Sequence, residues 1–158
     1  MPLMSALTPV DILCRWLHVI TACVLIGCAF FAFFLLPVAL RGLEPPSAVA
    51  AALRVRRPFK IIVHGGVTLL LLTGVYNAIR NWHVYNQWPG ITHGLFGVHL
   101  LLGLTVMALL LMALAGPAPR ASARTLMKWA LILAFLTVLA GSTVKWAREH
   151  ALVATHVR

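Results

Sequence analysis

Four long apolar stretches dominate the sequence, and polar residues gather between them. The stretches cover residues 12–40, 59–79, 92–115 and 125–145, and each contains the roughly 20 apolar residues that a helix needs to cross a bilayer. Hydrocarbon offers no hydrogen-bond partner to an open backbone, so such stretches are helices, and short connections make consecutive helices antiparallel. The pattern predicts an all-α integral membrane protein, an up-down four-transmembrane-helix bundle that forms one membrane domain over residues 1–158.

The composition fits this class. The chain is 61% hydrophobic and only 10% charged, whereas soluble domains contain about 25% charged residues. A net charge of +10 in a soluble protein would favour nucleic-acid binding. Here the cations lie at the ends of the apolar stretches, where anionic lipid headgroups explain them. We therefore expect a lipid bilayer as the partner and no nucleic acid.

The cations are divided unequally between the two sides of the predicted bundle. The connections that follow the first and third stretches contain more Lys and Arg than the opposite side does. By the positive-inside rule these connections face the cytoplasm. The distribution predicts a multi-pass protein of a bacterial inner membrane with both termini on the non-cytoplasmic side.

Three histidines lie within the apolar stretches, and helix direction separates them by depth. His18 and His99 each come about two turns into a helix that starts from the terminus side, so they lie at a similar depth. The helix that contains His64 starts from the opposite face of the membrane, and His64 lies near that start. The sequence therefore predicts that His18 and His99 face each other, whereas His64 lies in the other leaflet.

An ionisable side chain inside a membrane indicates function, and neutral imidazole suits haem iron. Helices about 8–10 Å apart would let His18 and His99 clamp a haem b. Gly103, one turn after His99, would let the macrocycle approach the backbone. The same rim contains cations that would bind the haem propionates: Arg15, Arg80, Lys145 and Arg148. The alternatives are structural hydrogen bonding by the histidines and ordinary snorkelling by the cations.

Two further interpretations, both of which involve metal binding, stay open. Cys14 lies one turn before His18 on the same helix face, a spacing that suits a soft metal such as Cu(I) together with His18 and His99. His64 is interpreted as a structural or proton-carrying residue. Ligation of a second haem by His64 is the less favoured alternative.

Several short motifs resemble those of two membrane families, the copper-resistance D (CopD)-like proteins and the HemJ-type protoporphyrinogen oxidases. The resemblance covers nearly the whole chain and rests on three segments. These are Trp16-Leu17-His18 with Leu35-Leu36-Pro37, then residues 59–64 with 71–77, and then His93 to Leu101.

The resemblance implies a four-helix membrane fold and, on the HemJ side, a b-type haem near a first-helix histidine that matches His18. HemJ-type proteins carry Lys at the third-helix position where this chain has His99, a change that favours bis-His ligation. The run from Phe30 to Leu36 departs from the Tyr and Arg pattern of HemJ-type proteins, as does the start of the fourth helix at Thr125. These departures weigh against porphyrinogen oxidation.

The sequence analysis therefore favours a haem b protein of the membrane that takes part in electron transfer. Its expected partners are a quinone, the other subunits of a respiratory complex, or further copies of itself. The alternatives are a HemJ-type protoporphyrinogen oxidase and a CopD-type copper transporter. Whether the chain is itself an enzyme, which would be an oxidoreductase, stays open at this point.

Overall fold

The computed structural model describes residues 8–86, 89–115 and 120–156, without the side chains of residues 84, 89, 115, 120, 121 and 148–156. Nearly all of these residues are helical, and none of them forms a strand. The elements in chain order are α1 (Pro9–Phe30), the π-helical turn π1 (Phe31–Leu35), α2 (Leu36–Ala39), α3 (Pro45–Tyr85), α4 (Pro89–Leu110), the π-helical turn π2 (Leu111–Ala115) and α5 (Arg120–His156).

Four helical segments are long and apolar enough to cross a membrane: Pro9–Ala39, Pro45–His83, Gly90–Leu114 and Ser122–Ala147. Three of them agree with the predicted stretches to within a few residues. The second begins earlier than its apolar stretch, because helix-forming residues such as Ala50, Ala51 and Ala52 extend α3 past Pro58. The prediction of an all-helical chain with four such segments is confirmed.

The first helix continues through Pro37, although proline is a residue that commonly breaks or kinks a helix. Proline has no N–H to give to the preceding turn. Just upstream, π1 widens the helix, and the Leu36 N–H donates to the carbonyl of Phe31, five residues earlier. This wider turn shifts the hydrogen-bond pattern, so the helix runs on to Ala39 before Gly42 turns the chain at a φ of 86°.

α1 and α3 pack antiparallel and form the first hairpin. Near the start of α1, Asp11 contacts Arg80. Further along α1, Leu25 lies against Gly66, where a Cβ would come within 2.8 Å of the leucine Cδ2. The close approach of the two helices at this point therefore requires glycine.

α4 and α5 form the second hairpin, also antiparallel, with His99 against Gly141 and Gly103 near Thr137. Each hairpin begins with a helix of 22 residues that starts at a proline and continues into a π-helical turn of 5 residues. The first hairpin then has the short helix α2, and each hairpin returns along a long helix. The two hairpins are therefore similar in build.

The hydrophobic core occupies one end of the bundle, which we call the core end, where π1 and π2 lie. It draws buried residues from both hairpins: Leu25, Ala29, Ala32, Val63, Val67, Leu70, Leu110, Leu114, Met127, Ala130 and Leu131. At the opposite end, the histidine end, no residue of α4 from 93 to 109 is buried, although Tyr85, Thr92, Val144 and Ala147 are buried there. The main apolar core therefore lies at the core end, and a smaller set of buried residues lies at the histidine end.

Leu110 provides a test of this arrangement because it is 2% exposed in the core, whereas Leu101 on the same helix is 67% exposed. We expect Leu110→Ala to lower the free energy of unfolding by about 2 kcal/mol or more, since it leaves a cavity. Leu101→Ala should change it by less than about 0.5 kcal/mol. Thermal unfolding in detergent, followed by circular dichroism, measures both. Equal effects would contradict the position of the core.

Candidate functional site

The His18 imidazole of α1 is fixed against α3. Its Nδ1 lies 2.9 Å from the hydroxyl of Thr73, and its Cε1 lies 3.3 Å from the place that a Cβ on Gly74 would occupy. The Thr73 hydroxyl already donates its single proton to the carbonyl of Leu69 at 2.7 Å, so it can only accept from His18. The Nδ1 of His18 therefore carries the proton and donates it.

The His99 imidazole of α4 is fixed against α5 in the same way. Its Nδ1 lies 3.0 Å from the backbone carbonyl of Thr137, and a carbonyl can only accept a hydrogen bond. The ring packs on Gly141, where a Cβ would come within 3.1 Å of Cε1. The Nδ1 of His99 is therefore also protonated, and a side chain at position 141 would require the ring to shift by a few tenths of an ångström.

These two bonds leave the Nε2 atom of each neutral imidazole with an unprotonated lone pair, the form that binds a metal. The structure places His18 and His99 at the same end of the bundle, where His18 is seated on α3 and His99 on α5. That the two rings face each other stays a prediction.

The two histidines occupy similar places in their helices. Each lies nine residues after the first residue of its candidate span, about 14 Å along the helix axis. Each ring packs on a glycine of the returning helix, His18 on Gly74 and His99 on Gly141. The bonded oxygens differ, since His18 bonds to the Thr73 hydroxyl and His99 to the Thr137 carbonyl.

A buried ionic cluster lies at the histidine end of the first hairpin. The Asp11 carboxylate accepts hydrogen bonds from Arg80 Nε at 2.7 Å and from a terminal nitrogen of the same guanidinium at 2.9 Å. It also accepts from the Tyr76 hydroxyl at 2.9 Å and from the Thr8 backbone N–H and hydroxyl, both at 2.8 Å. The cluster compensates the buried charge and joins the start of α1 to α3.

The predicted propionate-binding cations have different surroundings. Arg80 already uses two of its nitrogens on Asp11. Arg15 and Lys145 are exposed at the histidine end, and the side chain of Arg148 lies outside the described residues. Gly103 faces Thr137, and a Cβ there would make an ordinary contact at 3.8 Å, so packing between helices does not demand this glycine.

His64 lies apart from the histidine pair. Its side chain is exposed on α3, toward the core end, and its Nδ1 bonds to the carbonyl of Lys60 on the same helix at 2.7 Å. For the copper alternative, Cys14 is half-buried and lies beside Tyr76. No three His, Cys, Asp or Glu side chains form a metal-binding group within the described part of the chain, so Cys14, His18 and His99 are not assembled as a three-ligand site.

Sequence reasoning missed the partners that position this site. Asp11 was detectable, because an acidic residue inside an apolar stretch needs a nearby cation. The threonines and glycines that seat the imidazoles, at 73, 74, 137 and 141, had no comparable signal. Small residues are common in membrane helices for close packing alone, and only the helix register shows which of them face a histidine.

Asp11 and Arg80 allow a double-mutant test. We expect Asp11→Asn and Arg80→Gln each to lower the unfolding temperature, because each leaves the other group without its charged partner. The fall in unfolding temperature of the double variant should be smaller than the sum of the two single falls, since both single variants remove the same interaction. Arg15→Gln, an exposed cation at the same end, is the control and should have little effect. Strictly additive losses would contradict the coupling.

Comparison with known proteins gives no family assignment. No family model, curated protein or solved structure matches the chain. The resemblance to CopD-like and HemJ-type proteins stays a prediction from short motifs. The function has to be argued from the two imidazoles and the groups that hold them.

Proposed function

We propose that this chain is an integral membrane protein that binds one haem b between His18 and His99 and transfers electrons. The proposal rests on the protonation state of the two imidazoles, which is the same in both. Both donate from Nδ1 to an oxygen of a neighbouring helix, and both keep an Nε2 lone pair for a ligand. A histidine that only joined helices would have no need to keep Nε2 free in both hairpins.

The residues around the pair fit a flat macrocycle. Two ligands from separate hairpins, at one depth, can approach an iron from opposite faces. No residue of α4 from 93 to 109 is fully buried, and His99 itself is half-buried, so the helix is only partly covered at the level of the histidines. Arg15 and Lys145 are exposed at the same end, where cations suit the anionic propionates.

The number of histidines proposed to bind the iron favours electron transfer over the binding and activation of oxygen. Haem b, when bound, supplies reversible one-electron chemistry at its iron. If His18 and His99 both bind the iron, they would leave no ligand position open for a substrate. The hydrogen bonds at Nδ1 hold each ring in orientation and increase the electron donation of Nε2.

The remaining parts of the proposal concern location and partners. The first part of α3 carries Arg54, Arg57 and Lys60, and the start of α5 carries Arg124 and Lys128. This enrichment supports a cytoplasmic core end and a non-cytoplasmic histidine end in a bacterial inner membrane. The four apolar segments leave little polar surface for a soluble partner, which supports electron exchange with a quinone or with another membrane subunit.

Removal of each histidine tests the ligation. We expect the purified protein to show a reducible Soret and α band, and His18→Ala and His99→Ala each to abolish that spectrum because one axial ligand is lost. His64→Ala is the matched control and should retain the haem, since its ring bonds within its own helix. Absorbance spectra with haem quantification measure all four proteins. A colourless wild-type protein that contains bound copper would refute the proposal.

Thr73→Val tests the hydrogen bond behind the ligand, since valine keeps the shape of threonine and removes the oxygen. We expect haem affinity to fall about 10-fold or more. The midpoint potential should rise, because a less electron-rich imidazole stabilises ferric iron less. Thr68→Val on the same helix is the control, as its hydroxyl bonds to its own helix at His64. Potentiometric titration measures the midpoint potential of the wild type and both variants. A Thr73→Val curve identical to that of the wild type would argue against the role of Thr73.

A further inference from the structure

Three basic side chains follow one another along an exposed face of α3 at the core end. Arg57, Lys60 and His64 are separated by three and four residues, the spacing that brings helical side chains onto one face. All three are exposed, and they lie within about 11 Å of each other along the helix axis. We call these three residues the basic stripe. Neither the histidine pair nor the groups that hold it belong to this surface.

The basic stripe lies at the level where the hydrocarbon layer of a bilayer would end. Lys60 and Arg80 are both on α3, about 30 Å apart along its axis, which is the thickness of that layer. Arg124 and Lys145 are both on α5, about 32 Å apart along its axis. The two long helices therefore present cations at the same two levels, and the stripe lies at the headgroup level of the core end.

The chain offers no acidic residue close to the basic stripe. It contains only 3 Asp and Glu residues, and one of them, Asp11, bonds to Arg80 at the histidine end. Glu44 directly precedes α3, about 20 Å from Arg57 along the helix axis. Glu149 lies near the opposite end of the bundle, in the last part of α5. The positive charge of the stripe is therefore complementary to an anion from outside the chain.

The stripe reaches toward the membrane surface, because helical side chains lean toward the N-terminus of their helix, which for α3 is the core end. His64 shows this direction. Its Nδ1 donates a hydrogen bond to the Lys60 carbonyl, one turn nearer the core end, at 2.7 Å. The ring is thereby turned toward the headgroups, where an ionisable side chain costs less free energy than in hydrocarbon.

The same face of α3 continues into the hydrocarbon level with apolar side chains. Ile61 and Leu72 are 68% and 65% exposed, and the helical repeat places both on the side of the stripe. Between them, a Cβ on Gly65 would meet nothing within 4 Å, so a lipid chain could approach the backbone there. From Lys60 to Leu72 is about 18 Å, close to half of the roughly 30 Å hydrocarbon layer. Cations and an apolar track as deep as one leaflet thus share one face.

We infer that the basic stripe binds the headgroup of an anionic phospholipid in the leaflet at the core end. The Arg57 guanidinium and the Lys60 ammonium group donate to the phosphate oxygens, and an acyl chain lies along α3 from Ile61 to Leu72. A zwitterionic phospholipid has the same phosphate but also a cation, which the stripe repels. The site therefore selects anionic phospholipids, and it does so whether or not the protein contains haem.

Native mass spectrometry of the full chain in detergent, titrated with phosphatidylglycerol or with phosphatidylcholine of the same acyl chains, tests the site. We expect the first phosphatidylglycerol to bind at least about tenfold more tightly than phosphatidylcholine. Arg57→Gln and Lys60→Gln should each weaken phosphatidylglycerol binding about fivefold, the effect of one cation near a membrane surface. Arg41→Gln removes the same charge from an exposed position at the same end, outside the stripe, and should change the affinity less than about twofold.

The double variant Arg57→Gln/Lys60→Gln separates a site from general attraction to a positive surface. It should bind both lipids alike and keep the unfolding temperature of the wild type, since the two side chains are exposed. Selectivity that survives in the double variant, or a loss that Arg41→Gln reproduces in full, would overturn the inference.

An excess of inorganic phosphate, added at constant ionic strength, distinguishes a lipid from a soluble anion. We expect bound phosphatidylglycerol to remain, because free phosphate has no acyl chain to lie along α3. Displacement of the lipid by phosphate would overturn the inference in favour of a soluble anion. Haem content has no bearing on either outcome, so the result stands independently of the proposed function.

Discussion

Polar atoms inside this bundle must find partners on neighbouring helices, because hydrocarbon provides none. His18 bonds across to α3 and His99 bonds across to α5, and Asp11 bonds across to Arg80. These contacts fix how each helix lies against its partner within a hairpin. The bonds of His18 and His99 also determine which imidazole nitrogen carries the proton. Because Nδ1 is protonated and bonded to the neighbouring helix, Nε2 is the atom left to bind a ligand.

The two ends of the bundle serve different purposes. At the core end, residues of both hairpins such as Leu25, Val63 and Leu110 pack together and hold the four helices in one unit. At the histidine end the Asp11 cluster joins α1 to α3 within the first hairpin. The Thr92 hydroxyl, which donates to the Tyr85 carbonyl, joins α4 of the second hairpin to α3 of the first. Polar bonds therefore take a larger share in holding the helices at this end, whereas apolar packing dominates at the other.

The sequence predicts the four spans well, since apolar length is a strong signal, and helix direction alone pairs His18 with His99. It does not predict that α3 continues through Pro58 or that a helix passes Pro37, because local proline effects are overcome by a long helix and by a π-helical turn. The residues that contact the imidazoles are set by the register in which neighbouring helices pack. That register places Thr73 against His18 and Gly141 against His99, and no short-range pattern in the sequence encodes it.

The two imidazoles are held by unlike neighbours. His18 is held by a threonine side chain in the hairpin that also contains the Asp11 and Arg80 ion pair, whereas His99 bonds to the backbone carbonyl of Thr137 on α5. The two rings therefore have different electrostatic surroundings, and a ligand held between them would not bind symmetrically.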